Sequence, residues 1–395
     1  MNNELIQSEF RIELDRILNY WQELAVDEIN GGFYGYIGSD NKPDLDADKG
    51  IILNTRILWT FSAAFRFLKK GIYRELSARA YSYLVNYFID HKFGGVYWML
   101  DCKGNPLNKK KQVYAQAFAI YALSEYYQIE KDSGVMEKAI GIFDLIEIKS
   151  YDAERSGYIE AFGEQWNDIE DLRLGTTDQN EKKTMNTHLH ILEAYTNLLR
   201  IWKNEVLKEK LKELIEIFIR YFIDNKTFHL NLFFNEQWKL QSSKISFGHD
   251  IEASWLLNEA AVVLGEQDLI TRIRELSLKI AVSACRGIDD DGGLMNELSQ
   301  TDGIFDTDKY WWPQAECMTG LLNAFELSGE SHFYKKFLHT WSFIKKFIID
   351  HKNGEWFWRV NRNGIPFDEE KAGFWKGPYH NVRACIEVIN RIGRI

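Results

Sequence analysis

Gly94-Gly95-Val96-Tyr97-Trp98 decides the fold, because the chain repeats this segment along its length. It recurs as Gly31-Gly32-Phe33-Tyr34, Gly157-Tyr158-Ile159, Asp291-Gly292-Gly293-Leu294 and Gly354-Glu355-Trp356-Phe357-Trp358. A degenerate copy without glycine fits the gap from Phe228 to Trp238. The period is about 63 residues, longer than that of the helical solenoid repeats.

Working outward, each unit has the same grammar. An amphipathic segment comes first, such as Arg74 to Ile89, with apolar residues at helical spacing. The glycine–aromatic segment follows. Alternation in Val96-Tyr97-Trp98-Met99 and a Lys103-Gly104-Asn105 turn predict a short hairpin. A more apolar helical segment closes the unit. These second helices are expected to begin near Ile51, Gln112, Thr184, Gly248, Tyr310 and Tyr379.

Six pairs of one amphipathic and one apolar helix predict two concentric rings. The expected fold is all-α: an (α/α)6 barrel of six inner and six outer helices, with short hairpins in the connecting loops, forming one domain over residues 1–395. The competing architecture is an open helical solenoid, but neither end reads as a polar cap. If the inner helices all run one way, their N-terminal ends open at one mouth. Residues in their first turns then converge although they lie far apart in sequence.

Composition narrows the function. The 58 acidic and 48 basic residues leave a net charge of −10, which argues against a general nucleic-acid binder. No apolar run approaches the roughly 20 residues of a membrane span. The first residues have no apolar signal core, and Cys102, Cys285, Cys317 and Cys385 lack CxxC spacing, so a cytoplasmic protein with reduced thiols is expected. The 13 tryptophans allow either a large core or a sugar-stacking cleft, and for any single aromatic residue the core is the better explanation.

The mouth supplies the chemistry. The first inner helix carries Arg56 in an apolar run, and a guanidinium there needs a partner or a cavity. The second brings Tyr114. On the third, Asn186 and His190 are four apart and share a face, whereas His188 points elsewhere. The fourth has His249 and Glu252, three apart and able to interact. The fifth opens with Trp311 and Trp312, of which one can face the mouth. Trp375 enters the sixth helix, and His380 stands at its start.

Glycoside hydrolysis would need two carboxylates across the scissile bond. The convergent ionisable groups here are instead His190, His249 and His380. Histidine serves as base in one state and acid in the next. Two of them on opposite faces of one carbon suit proton removal and return beside a carbonyl, and Arg56 would stabilise the enediolate. Both helix starts keep a base neutral, while Glu252 is expected to raise His249 above His380. Without metal-ligand spacing, a dinucleotide fingerprint or a P-loop, no metal or other cofactor is expected.

The chain resembles the N-acylglucosamine 2-epimerase superfamily, most closely its cellobiose 2-epimerase branch. The resemblance is carried by NGGFYGYIG (30–38), DKGIILNTRILW (48–59), FGGVYWMLD (93–101) and YAQAFAIYALSEYY (114–127). It continues through KTMNTHLHILEAY (183–195), FGHDIEASW (247–255), YWWPQAE (310–316) and WKGPYHNVRACIEVI (375–389). It implies an (α/α)6 barrel that opens the reducing-end sugar and exchanges the C2 proton through a cis-enediolate, without a cofactor. It implies His249 and His380 as the base–acid pair and Glu252 as the residue orienting His249. Arg56 and His190 would bind the O1/O2 side, with Asn186 and Tyr114 assisting. Trp311 or Trp312 would stack on the reacting sugar and Trp375 on the distal one, and Glu297 would contact substrate. The implied partner is a β-1,4-linked disaccharide, handled by a monomer.

Two other readings stay open. One is a monosaccharide 2-epimerase or mannose isomerase using the same enediolate. The other is a sugar-binding module without turnover. The polar stretch Asp168 to Lys183 is expected to be a mobile loop that covers substrate.

Overall fold

Outer and inner helices alternate strictly along the chain. The computed structural model describes residues 3–394. Its helices are α1 (Asn3–Leu24), α2 (Ile51–Leu68), α3 (Gly71–Tyr83), α4 (Val113–Glu130), α5 (Ser133–Lys149), α6 (Met185–Ile201), α7 (Glu205–Ile217), α8 (Phe247–Leu264), α9 (Gln267–Ala284), α10 (Trp311–Ser328), α11 (Ser331–Phe343) and α12 (Tyr379–Ile392). Even-numbered helices are the inner ones, and each starts within one residue of its expected position.

Burial separates the two rings. Helix α2 buries every residue from Ile51 to Ala64. Helix α7 buries only Leu207, Leu211, Leu214, Ile215 and Ile217, a single stripe. Each inner helix packs on the next, and α12 returns to α2, so the ring closes and the open solenoid is excluded. Helix α1 packs on α12. There the Gln7 side-chain amide donates to the Ile389 carbonyl at 3.0 Å.

Connections from inner to outer helices are tight turns. After α2 the chain reverses at Lys69, whose φ of 60° is left-handed and whose N–H donates to the Phe65 carbonyl. Connections from outer to inner helices are the long hairpins. All of them therefore lie at the end where the inner helices begin, and this end is the mouth.

The hairpins close a second ring. The strand entering each inner helix pairs with the hairpin of the next unit: Lys49 with Leu100, Lys111 with Phe162, Lys183 with Phe234, Ile245 with Leu298, Lys309 with Val360. The last, at Ala372, bridges back to Ile37. Phe228 in the degenerate copy takes a φ of 58°, the conformation that Gly94 and Gly354 supply in theirs.

A clamp fixes hairpin to helix in five of the six units. A buried lysine before the inner helix reaches the aspartate two or three residues past the preceding outer helix, counting its short π or 3-10 extension. These pairs are Lys49–Asp27 and Lys111–Asp90, both at 2.7 Å, Lys183–Asp152 and Lys371–Asp350, both at 2.8 Å, and Lys309–Asp289 at 3.1 Å. Ile245 takes the lysine's place in the fourth unit. One turn into the helix, Gln116, His188, Asp250 and Gln314 accept the N–H of Val96, Tyr158, Leu230 and Leu294. The Asp-to-Lys separation is 22, 21, 20 and 21 residues in four clamps and 31 in the third. The additional chain in the third unit falls in the stretch from Asp168 to Lys183.

Candidate active site

The first turns of the inner helices surround a cavity of about 280 Å³. Arg56, Tyr114, Asn186, His190, His249, Glu252, Trp311, Trp312, Trp375 and His380 all line it. Leu174, Gly175, Thr177 and Asp178, from the additional chain of the third unit, cover one side. The base of that loop is tethered, because Gln112 donates to the carbonyls of Leu172 and Arg173. Glu297 lines an adjoining side cavity, which shares Asn186, His249, Leu174 and Asp178 with the first. It is ion-paired to Lys244 at 3.1 Å.

The tryptophan pair divides its work. Trp311 is 2% exposed, packs on Trp358 and covers the Lys376 ammonium. Trp312 is half-buried, with its ring 4.8 Å from that of His249 and 5.7 Å from that of His380. It brings the two histidines to one place and offers the better stacking face. Gly248 permits this approach, since a Cβ there would lie 2.7 Å from the Trp312 ring.

Each histidine is held through Nδ1. His190 Nδ1 donates to Glu193 at 2.9 Å, and His380 Nδ1 to Glu316 at 2.6 Å. An ionised carboxylate only accepts, so both rings carry the Nε2 lone pair. His249 Nδ1 meets the Ser246 hydroxyl at 2.8 Å. Among the described residues none of the three Nε2 atoms has a protein partner.

Two expectations need correction here. Glu252 does not orient His249; its carboxylate accepts from Arg383 at 3.0 Å. His249 Nδ1 instead meets the hydroxyl of Ser246, from the entering strand. Nor does Glu252 set the His249 pKa; the charge that draws it upward is that of Glu316. Burial drives both His249 and His380 down to about 3. The Glu316 hydrogen bond opposes this at His380, but the Arg56 and Arg383 charges lower it again. Both are neutral bases near pH 7.

The acidic groups beneath the histidines are unequal. Burial and repulsion from Glu316 and Glu193 raise the Glu252 carboxyl well above its usual range, which favours its neutral form, while the Arg383 guanidinium opposes them. Burial also acts on Glu316 and Glu193, but Arg383 and the histidine hydrogen bonds outweigh it and keep both ionised. Glu252, Glu316 and His380 offer ligand atoms within 4.8 Å of one another, close enough for a cation. The Arg383 guanidinium already bridges the two carboxylates and supplies the positive charge there.

Unpaired polar atoms point to a polar ligand. Arg56 donates to the Trp375 carbonyl and, at 3.2 Å, to the Tyr114 hydroxyl, yet its Nε has no partner among the described residues. Asn186 Oδ1 is also buried without one. Such atoms are costly unless a ligand or water satisfies them. Neutral bases, a fixed cation, an aromatic face and unpaired donors and acceptors are the parts needed to hold a sugar and move a proton at carbon.

The profile of the N-acylglucosamine 2-epimerase (GlcNAc 2-epimerase) family matches residues 32–384. The chain belongs to the N-acylglucosamine 2-epimerase family. It is 48% identical to a cellobiose 2-epimerase of Bacteroides fragilis, over 98% of this chain and 99% of that one. It is 40% identical to a cellobiose 2-epimerase of Dictyoglomus turgidum, over 99% and 100%. The solved structure of cellobiose 2-epimerase from Bacillus thermoamylovorans superposes with a TM-score of 0.95 at 40% identity, covering 98% and 100% of the two chains. This member of the N-acylglucosamine 2-epimerase family is an isomerase. Among the described residues, no helix is long and apolar enough to cross a membrane.

Glu193, Glu316 and Arg383 were not singled out in the sequence of this epimerase. The available signal was a charge in an otherwise apolar inner helix, as with Arg56. Glu193 also stands three residues after His190, the spacing at which the two meet. Glu160 was missed too; it is buried beside the side cavity, accepts from Thr184 and Thr187, and is pushed by burial to about 7.

Proposed function

We propose that this chain is a cofactor-independent sugar 2-epimerase that interconverts cellobiose and 4-O-β-D-glucosyl-D-mannose, with related β-1,4-linked disaccharides such as lactose or mannobiose as further substrates. The observation that carries the reading is the pair of neutral, Nδ1-anchored histidines, His249 and His380, whose rings lie 4.8 and 5.7 Å from that of the half-buried Trp312.

In this reading the reducing sugar opens to its aldehyde with the ring lying on Trp312. One histidine Nε2 takes the C2 proton. The C2–H electron pair becomes the C1–C2 double bond, and the carbonyl π pair moves onto O1 to give the cis-enediolate. Arg56 faces that oxyanion, and His190, Asn186 and Tyr114 hold the O1/O2 side. The second histidine, which takes up a proton at Nε2 from solvent once the anion has formed, delivers it to the opposite face of C2 as the O1 electron pair re-forms the carbonyl, and the first histidine returns its proton to solvent. Every step is a proton transfer, so no redox cofactor enters. The developing anion compensates the imidazolium that burial otherwise disfavours. Trp375 and Glu297 are assigned to the second sugar and the third-unit loop to covering it. The reading assigns all these groups to one (α/α)6 domain working as a monomer.

Proton NMR of cellobiose with the enzyme in D2O tests the reading. The expected result is a mannose-terminated disaccharide carrying one deuterium at C2. Turnover of mannose or glucose but not cellobiose would replace it with a monosaccharide enzyme. Free glucose would indicate hydrolysis, and silence with all three sugars would leave a binding module.

A further inference from the structure

We infer that Arg383 is a positioning residue that holds His190 and His380 in one shared setting, through the carboxylates of Glu193 and Glu316. The inference rests on the proposed epimerase reading for its kinetic consequence but not for its structural one.

Arg383 lies on α12 one turn below His380 and is 3% exposed. Its Nη2 donates to Glu316 Oε1 at 2.7 Å and to Glu252 Oε1 at 3.0 Å. Its Nη1 donates to Glu193 Oε1 and reaches the Tyr379 hydroxyl. One guanidinium therefore ties α12 to α6, α8 and α10. The rings of Tyr379 and Trp255 lie 4.3 and 4.7 Å from it. Trp255 in turn donates to the second oxygen of Glu316 at 3.0 Å, so that carboxylate cannot rotate without breaking a bond.

The connection to the histidines is direct. Glu316 Oε1 accepts from both Arg383 and His380 Nδ1. Glu193 uses one oxygen for Arg383 and the other for His190 Nδ1. Three carboxylates this close cannot all stay ionised in a dry site. The planar fork engages all three, Glu193 with one arm and Glu316 and Glu252 with the other, and the two that also accept a histidine proton, Glu193 and Glu316, are the ones it holds against the rings. His249 stands outside this network, anchored on the Ser246 hydroxyl. Arg383 thus sets the tautomer of two rings and leaves the third alone. A lysine would keep the charge but not the fork.

The test reads the rings themselves. Nitrogen-15 histidine spectra of the full chain, assigned with His190, His249 and His380 variants, are compared with those of Arg383→Lys. The expected result is that the His190 and His380 resonances both move away from the pure Nδ1–H tautomer, while those of His249 stay in place. In the same protein kcat should fall about 10–100-fold with KM little changed, as for loss of a group that orients a histidine. Unmoved His190 and His380 resonances, or equal movement of all three, would overturn the inference. Correct spectral changes together with a wild-type chain that turns over no sugar would instead fault the epimerase reading. If Arg383→Lys does not fold, Glu193→Gln replaces it. The carboxylate it alters does not touch His380 but accepts from both Arg383 and Tyr379, so a His380 shift that persists in a Tyr379→Phe background is expected if Arg383 carries the coupling, and an unmoved His380 would reject it.

Discussion

The clamp and the mouth are built from adjacent residues of the same units, yet they follow opposite rules. The clamp uses a lysine and an aspartate five times over. Immediately beyond it, the first two turns of the six inner helices present Arg56, Tyr114, Asn186 with His190, His249, Trp312 and His380. A position that repeats around a ring answers a demand that repeats, here holding a hairpin on a helix. A position that differs in every unit faces a centre where only one copy of each group is wanted. Repetition within one chain therefore separates scaffold from chemistry.

The comparison breaks most visibly at the histidines. His249→Asn and His380→Asn should each lower epimerisation about 10²–10⁴-fold, with thermal unfolding close to wild type. The measurement is the rate of C2 inversion on cellobiose in D2O. Substantial epimerisation by either variant would remove that residue from the chemistry.

Glutamates sharpen the contrast within the mouth. Glu316→Gln should reduce kcat about 10–100-fold, because a charged acceptor for His380 is lost. Glu252→Gln should change kcat less, since neither His249 nor His380 is hydrogen-bonded to Glu252. A larger loss at Glu252 than at Glu316 would restore the role for Glu252 that the sequence suggested.

The clamp fails differently. Lys111→Met strands the buried Asp90 carboxylate and should cost about 3–5 kcal/mol in urea unfolding. Enzyme that remains folded should keep its kcat. Adding Asp90→Asn should recover part of the stability, because no buried charge is then left alone.

The smallest effect is expected at His188, which fills a clamp position that Gln116 and Gln314 occupy elsewhere. His188→Gln should be close to neutral at pH 7. Burial lowers His188 from 6.5 to about 3, so below 6.5 the unfolded chain binds a proton that the folded one refuses. Its contribution to stability is therefore complete above 6.5 and is lost as pH falls toward 3. The variant should lose about 2 kcal/mol less than wild type between neutral pH and pH 5. Urea midpoints at the two pH values check this, and parallel losses would show that His188 does not titrate in this way.

Much of this was legible because periodicity is a local property. The glycine–aromatic copies and the apolar second helices placed the start of every inner helix to within a residue. One face per helix then brought the three histidines together with Arg56. The Glu252 assignment failed because helical spacing says which residues can meet on one helix, and the partner of His249 lies before the helix, on the strand that enters it. Glu316 and Arg383 stayed silent because their partners are on other helices. No sequence separation announces that residues 193, 252, 316 and 383 share a centre.

The sequence by itself determined the ring: the number of units, the inner and outer faces, the end that bears the mouth, and the histidines that reach it. Its hydrophobic period and its turn chemistry are sufficient for that, since both act over a few residues. The tertiary structure alone decided the electrostatics. Which carboxylate is ionised, which ring nitrogen carries the lone pair and which tryptophan keeps a free face depend on charges and packing contributed by four different helices. Those terms exist only once the barrel has closed and excluded water, where a single guanidinium outweighs the burial that neutralises everything around it.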